Sequence, residues 1–440
     1  MKKFDVIVIG SGGAGSKIAF TCNSNHMEVA VIDYRPLGGT CANRGCDPKK
    51  VLWGAAEPVE ISTNLDTYSQ PLKLDWNKLI KFKKTFTDPV PQKREKSFND
   101  AGISIFKGKA SFTAQNRLMV NGKELEGKYI VIATGAKPKP LDMPGESLVT
   151  TSDEFLETSN LPPEIIFIGG GYISFEFAHI ASRAGAKVKI LHIDDKPLQI
   201  FDQDIVGKLL DITREAGIEF IPNSPAKSFS KDGRNIVVHT ENRKYSCGMA
   251  VHGAGRIPEI DELNLEKGMV EYGKGIKLNK FLQSISNEAV YAAGDCAQTG
   301  PPLTPVAGIE AAAVAENIIK GNRVTLDYSV VPSVVFTIPP LASVGLSEKQ
   351  AKDKNIDYKA NFMDISKWYN SRRLGFRHTA FKVIEEKGTG KIIGAHLIYP
   401  QSEDIINLFS LAMKNNMPLE NIKETIFSYP SNTSDIKYMF

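Results

Sequence analysis

The stretch Phe4 to Gly15, FDVIVIGSGGAG, runs a nearly continuous apolar segment straight into the spacing Gly10-x-Gly12-x-x-Gly15. Such a run suits a strand buried in a parallel sheet, and the residues after Gly15 are compatible with a helix. Val29 to Ile32 reads as the next buried strand, ending on Asp33. Strand, glycines, helix, strand and terminal acid in this order form a dinucleotide fingerprint. The turn of Gly10, Gly12, Gly13, Ala14 and Gly15 lets backbone approach a pyrophosphate at a helix N-terminus, while Asp33 can hydrogen-bond an adenosine ribose.

The pattern recurs. Glu164 to Ile168 leads into Gly169, Gly170, Gly171, Tyr172, Ile173 and Ser174, then a helix through Glu176 to Ala184 and a strand from Lys187 to Leu191. Two dinucleotide folds on one chain imply two nucleotide cofactors. Further on, Val290 to Ala293 is a buried strand closing on Gly294 and Asp295, an acid placed to hold a polyol hydroxyl.

Between the fingerprints lies Gly38 to Lys50, GGTCANRGCDPKK. On one regular helix Cys41 and Cys46 would be displaced by about 7.5 Å along the axis and point apart, too far for a disulfide. The backbone between them must therefore be irregular, and Gly38, Gly39 and Gly45 supply that freedom. Asp47 followed by Pro48 reads as an N-cap with proline in the first helical turn, which sets Cys46 against the positive end of a helix. Helix N-termini and nearby lysines lower cysteine pKa values, so the pair is expected to carry electrons. A structural zinc site wants four ligands, and no second pair accompanies this one. Cys22, Cys247 and Cys296 are expected to be plain buried residues.

With these motifs in hand, the chain resembles, over nearly its whole length, the glutathione reductase, dihydrolipoamide dehydrogenase and mercuric reductase family of pyridine nucleotide-disulfide oxidoreductases. The resemblance implies an α/β fold with two Rossmann-like dinucleotide-binding domains, for FAD and NAD(P), plus a C-terminal α+β dimerisation domain. Residues 1–149 and 273–328 are assigned to the FAD domain, 150–272 to the NAD(P) domain and 329–440 to the interface domain of a homodimer whose sites are completed by the partner. By the same resemblance the first fingerprint binds FAD, Asp295 contacts the ribitol, and the second fingerprint binds NADH or NADPH. Cys46 matches the thiol beside the flavin, and Cys41 the thiol that meets the acceptor. Lys49 and Glu176 match an ion pair at the flavin, and Tyr172 matches a gate over the nicotinamide site. Gly39, Thr40 and Lys50 flank the cysteines, Ile173 follows the gate, and Ala133, Thr134, Gly135, Gly255 and Arg256 lie in domain-crossing segments; all are expected at the cofactors.

The departures from the family pattern bear on the acceptor. The disulfide reductases carry a His-Pro dipeptide near the C-terminus with an acid shortly after, and here the matching stretch is Tyr429-Pro430, with Asp435 following. Tyrosine, with an unperturbed pKa near 10, can donate a proton at neutral pH but is a poor base. Mercuric reductases also carry tyrosine there, yet add a C-terminal cysteine pair that this chain, ending in Tyr438, Met439 and Phe440, lacks. The arginine with which glutathione reductases grip a glutathione carboxylate falls at Thr21. The expected acceptor is a small disulfide other than glutathione; the alternatives are a metal ion or quinone, or a redox-sensing module with little turnover. In the second fingerprint the position equivalent to Asp33 is His192, followed by Asp194 and Asp195, which would repel a ribose 2′-phosphate. The balance tips to NADH.

Composition narrows the rest. Lys plus Arg number 54 against 50 acids, and a net charge of +4 gives no field for nucleic acid. The basic stretch Lys73 to Lys96 reads as a solvated helical face. No apolar run is long enough to span a bilayer, and the short N-terminal run flows directly into the glycines without a cleavage site. No membrane partner is expected, and a reducible cysteine pair fits the cytoplasm.

Overall fold

The computed structural model describes residues 1–68, 70–297 and 299–440. It divides into two compact units, the first comprising residues 1–49, 82–139 and 256–328 and the second residues 50–81, 140–255 and 329–440.

The first unit is built on a seven-stranded sheet. Lys2–Ile9 lies at its centre, parallel to Val29–Asp33 on one side and to Lys123–Ile132 on the other; Ser104–Lys107 and Val290–Ala292 extend the parallel part. Alternation along the strands explains why the central run is apolar throughout. Val6, Val8, Val31 and Val131 face the helices Gly13–Ser24 and Thr304–Lys320, packing on Ile18, Ala311 and Val314. Ile7, Ile9, Ile32 and Ile130 face the other way, onto Phe112, Leu118 and Ile276. Each such buried aliphatic side chain contributes roughly 1.5–3 kcal/mol. A sheet buried on both faces leaves its strand ends as the places where polar chemistry can gather; Asp33 is the last residue of its parallel strand, and Gly10 and Gly294 lie just past the C-terminal ends of theirs.

The second unit holds a parallel sheet in the order Ile218–Ile221, Lys187–Leu191, Glu164–Ile168, Met249–His252. Its C-terminal part is a five-stranded antiparallel sheet, with Lys391–Ile398 between Leu341–Gly345 and Ala380–Glu386. The helix Ser402–Lys414 lays Ile405, Ile406 and Phe409 against that sheet. The expected mixed α/β architecture is thus the one observed. The three cysteines expected to be structural, Cys22, Cys247 and Cys296, are buried. Among the described residues, no helix is long and apolar enough to cross a membrane.

The cysteine turn is anchored to the first fingerprint by backbone contact. A Cβ added to Gly39, whose φ is +75°, would stand 2.3 Å from the Cα of Gly12. Gly39→Ala combines a left-handed backbone with a steric clash that one side must relieve. We expect a loss of stability of about 1–3 kcal/mol, read as a lowered urea midpoint, and a lowered flavin absorbance per polypeptide. A substituted protein with unchanged midpoint and full flavin content would refute the contact.

Candidate active site

The sequence places the two cysteines on a broken helix, and the break is at Gly45. Gly39–Arg44 is one short helix, Gly45 adopts φ −142° and ψ −113°, and Cys46–Asn64 is the next helix. The second helix begins two residues earlier than Asp47-Pro48 implied. Cys46 is its first residue and Asp47 lies inside the first turn, so the N-cap assignment of Asp47 is corrected. The consequence for Cys46 is the expected one: its sulfur sits at the positive end of a helix.

Around the thiols, residues of the first unit converge. Cys46 is exposed and Cys41 half-buried. The two thiols hydrogen-bond each other, Cys46 Sγ lies 3.4 Å from Thr304 Oγ1, and Cys41 Sγ donates to Asp47 Oδ1 at 3.9 Å. Lys49, buried, adds its positive charge beside Cys46. The hydrogen bond from Cys41 is the main influence lowering the Cys46 pKa from 9 to about 6; lost hydration opposes it, and Thr304 and Lys49 assist. Cys41 moves the other way, pushed well above the usual thiol range first by its bond to Cys46 and then by burial. One thiol therefore holds the negative charge and its neighbour holds the proton.

The turn that carries the pair is wired into the fingerprint by Ser11, which sequence reading missed. Its backbone N–H and hydroxyl both donate to Asp33 Oδ2, at 2.9 and 2.6 Å, and the same hydroxyl accepts from Gly38 N–H at 3.0 Å. Asn43 holds the turn from the other side, donating to the carbonyls of Leu37 and Gly39. Thr40 is half-buried in this turn.

The glycine positions fit a bound FAD. The helix Gly13–Ser24 has no side-chain cap and no acid in its first turn, and a Cβ on Gly13 would meet nothing within 4 Å, so its N-terminus is open to a phosphate. Gly10 and Gly15 are required by packing: added Cβ atoms would lie 2.2 Å from the Ala133 carbonyl oxygen and 1.9 Å from that of Gly10. This brings Ala133 and Thr134 against the fingerprint, with Ala14 buried beneath and Gly135, at φ +72°, following them. Asp295 follows the strand Val290–Ala292; burial raises its carboxyl pKa, Arg256 opposes that and Glu310 adds to it. Glu310, also missed, is buried on the helix Thr304–Lys320. It accepts from Gly294 N–H at 2.7 Å, Thr299 Oγ1 at 2.6 Å and Tyr328 OH at 2.9 Å, fixing the turn that presents Asp295. Thr304-Pro305 is a helix-start signal, but nothing local in the sequence points from it to Cys46.

In the second unit, the same logic holds around Gly169. Its φ is +106°, and a Cβ there would stand 2.6 Å from the Gly253 carbonyl oxygen. The helix Tyr172–Arg183 starts from Gly171 without a side-chain cap or a first-turn acid, with Tyr172 exposed and Ile173 half-buried. A nucleotide phosphate fits that terminus as well. Glu176 is buried and accepts from Phe336 N–H at 2.9 Å. His192 Nδ1 accepts from Gly170 N–H at 3.0 Å, and its Nε2 lies 3.2 Å from the Lys196 carbonyl oxygen. A backbone N–H can only donate and a carbonyl can only accept, so the ring carries its proton on Nε2 and is neutral in this arrangement. Gly255 is exposed with φ +107°.

The Lys50 ammonium sits 3.5 Å above the Trp53 ring and 4.2 Å from that of Phe336, and pairs with Glu403 at 3.1 Å. Tyr429 is 81 % exposed, and its bond to Pro430 is cis. Asp435 accepts from Tyr399 OH at 2.5 Å and from Asn370 Nδ2 at 2.9 Å.

Comparison with known proteins agrees with this geometry. Residues 4–311 match the model of the family described as pyridine nucleotide-disulphide oxidoreductase, and residues 331–440 match its dimerisation domain, which indicates a homodimer. The chain is 30% identical to a mercuric reductase of Lysinibacillus sphaericus, over 99% of this chain and 81% of that protein. It is also 30% identical to a glutathione reductase of Burkholderia cepacia, over 97% and 96% of the two chains. Its fold is similar to that of the HOCl-induced flavoprotein disulfide reductase RclA from Escherichia coli, with a TM-score of 0.90, 26% identity and 99% of each chain covered. A Cu(II) complex of the same reductase matches with a TM-score of 0.90 and 26% identity, covering 100% of this chain and 99% of that one.

The charge held on Cys46 has a measurable consequence. With its pKa lowered to about 6, the thiolate is present above that pH and lost as pH falls through it. Alkylation of the reduced protein by iodoacetamide, located at Cys46 by peptide mapping, should stay fast down to about pH 6 and slow below it. Thr304→Val removes one supporting hydrogen bond, so its midpoint should move upward. An unshifted midpoint near that of a free thiol, about 8.5, would count against the site.

Proposed function

The chain belongs to the pyridine nucleotide-disulphide oxidoreductase family, and from that premise we propose that Cys41 and Cys46 are its redox-active pair, taking electrons from NAD(P)H and passing them to an external acceptor. Enzymes of this family are flavin-dependent. FAD, when bound, supplies the hydride acceptor and the two-electron relay between nicotinamide and cysteines. The observation that carries the reading is the placing of the two thiols on either side of the Gly45 break, with Cys46 first in its helix and 3.4 Å from Thr304 Oγ1.

Each group has a part in that reading. Gly10, Gly12, Gly13 and Gly15 admit the FAD pyrophosphate, Asp33 and Asp295 its sugar and ribitol hydroxyls. Gly169 and Gly171 admit the second nucleotide, with Tyr172 as gate over it. Lys49 supports the charge on Cys46, and Thr304 fixes its sulfur. The domain division is 1–149 with 273–328 for FAD, 150–272 for NAD(P) and 329–440 for the interface. A pair that must be reduced again at every turnover suits the cytoplasm.

NADH is the proposed donor. The neutral His192 ring spends both nitrogens on Gly170 and Lys196, so neither a carboxylate nor a free cation is offered to the adenosine ribose. Asp194 and Asp195 disfavour a 2′-phosphate there. The proposed acceptor is a small disulfide other than glutathione, which Cys41 attacks while Tyr429 donates a proton or hydrogen bond. A second reading, reduction of a thiophilic metal ion, is favoured by the mercuric reductase relatives and the Cu(II) complex of RclA, and it needs less proton shuttling.

Anaerobic two-electron reduction of the FAD-loaded protein should produce a long-wavelength absorbance band from the Cys46 thiolate. Cys46→Ser should abolish it, and Cys41→Ser should show it without reduction. Simple bleaching of the wild type would sink the redox-pair assignment. In rapid-mixing experiments, NADH should reduce the protein modestly faster than NADPH; a large NADPH advantage would overturn the donor reading. Reoxidation should then be followed with small disulfides, Cu(II), Hg(II) and quinones. Tyr429→Phe should slow the disulfide arm by about 10²- to 10⁴-fold, the usual worth of a positioned proton donor, and the metal arm less. Equal rates for both proteins on every acceptor would remove Tyr429 from the mechanism.

A further inference from the structure

Reoxidation of the pair requires the proton on Cys41 to leave. In the reduced state that thiol hydrogen-bonds Cys46, but Cys46 cannot keep the proton, because its sulfur must close the disulfide. Tyr429 is a donor in the proposed mechanism. Among the described residues, Asp47 offers a carboxylate within reach of that same S–H, its Oδ1 3.9 Å from Cys41 Sγ, so the proton can turn from Cys46 to Asp47. Asp47 stands in the first turn of the helix Cys46–Asn64, beside the other reacting cysteine, and is exposed, so a proton placed on it can reach solvent or a departing thiolate. Because that helix starts at Cys46, the capping role read for Asp47 from sequence does not account for its side chain.

We propose that Asp47 is the base that takes the Cys41 proton as the pair is reoxidised, a catalytic carboxylate carried on the cysteine turn itself. For its chemistry this rests on the small-disulfide reading of the acceptor. Cys41 sulfur attacks RS–SR; the Cys41–S–SR bond forms, the substrate S–S bond breaks, and RS⁻ departs. As the new bond forms the S–H proton becomes strongly acidic, and it passes to Asp47, which returns it to RS⁻ to give RSH. The Cys46 thiolate then attacks Cys41 of the mixed disulfide, closing the Cys41–Cys46 bond and expelling the second RS⁻. Two electrons have passed from the pair to the substrate, and Cys41–SH, Cys46–S⁻ and RSSR have become a protein disulfide, RSH and RS⁻.

The sign of the effect separates this role from simple electrostatics. The negative charge of Asp47 raises both thiols, so neutralising it makes each more acidic and, with no base role, would make Cys41 react faster. A base role predicts the reverse.

The test has two arms. In the first, FAD-loaded, pre-reduced wild type, Asp47→Asn and Asp47→Glu are mixed with hydroxyethyl disulfide in a single turnover. In the second, Cys46→Ser protein with and without Asp47→Asn is alkylated at Cys41 by iodoacetamide, which forms one S–C bond, expels iodide and depends on no acceptor assignment. We expect Asp47→Asn to lower both rates by about 10²-fold and Asp47→Glu to recover most of the loss. Alkylation at or above the parent rate in the Asp47→Asn protein overturns the proposal, whatever the first arm shows. If wild type is inert to the disulfide while alkylation still falls, Asp47 stands as the base and the disulfide reading of the acceptor is what fails.

Discussion

The backbone of Gly39 lies so close to that of Gly12 that a Cβ on Gly39 would stand 2.3 Å from the Gly12 Cα, and the chemistry of the first unit depends on that contact. Gly12 precedes the helix whose N-terminus is open to a phosphate, and Gly39 opens the short helix that carries Cys41. Ser11 locks the same two segments by sharing one hydroxyl between Asp33 and Gly38. A redox pair must be held at a fixed distance from its electron source, and here the element proposed to bind the cofactor is in contact with the element that bears the sulfurs. Position is set by packing of main chain on main chain, which is stiffer than any arrangement of long side chains.

Within that frame, the two thiols differ because their neighbours differ. Cys46 begins a helix, touches Thr304 and feels Lys49, whereas Cys41 is half-buried against the carboxylate of Asp47. Hydrogen bonding between them then amplifies the difference, since one proton shared by two sulfurs stabilises the anion on one and the acid on the other. The pair thus has a built-in direction, with the electron-rich sulfur and the proton-bearing sulfur decided before any acceptor arrives.

Most of this was readable from local pattern. The strands Val29–Asp33 and Glu164–Ile168 stand where apolar runs placed them, because a buried strand needs several consecutive apolar residues and leaves a distinct trace. Glycines at Gly10 and Gly39 were visible because only glycine tolerates the approach. What escaped was long-range. Ser11 is an ordinary serine in a glycine run until Gly38 arrives above it, Thr304 lies 258 residues from Cys46, and Glu310, although only 16 residues beyond Gly294, carries no local signal of its role. Asp47 was misread for a subtler reason: Asp-Pro is a strong capping signal, but a Gly45 in a conformation few other residues adopt moved the helix start to Cys46.

The helix Thr304–Lys320 joins two functions that the sequence keeps apart. Its first residue touches the Cys46 sulfur, and Glu310, six positions on and roughly 9 Å along the axis, grips the turn that presents Asp295. The helix acts as a ruler with one mark at the Cys46 sulfur and the other at the turn that presents Asp295. Gaining or losing one residue between those marks would rotate them by about 100° relative to each other, so that either the sulfur or the carboxylate would lose its partner. This short segment should therefore be closed to insertions and deletions over evolutionary time, while substitutions remain open at an exposed position such as Ile309.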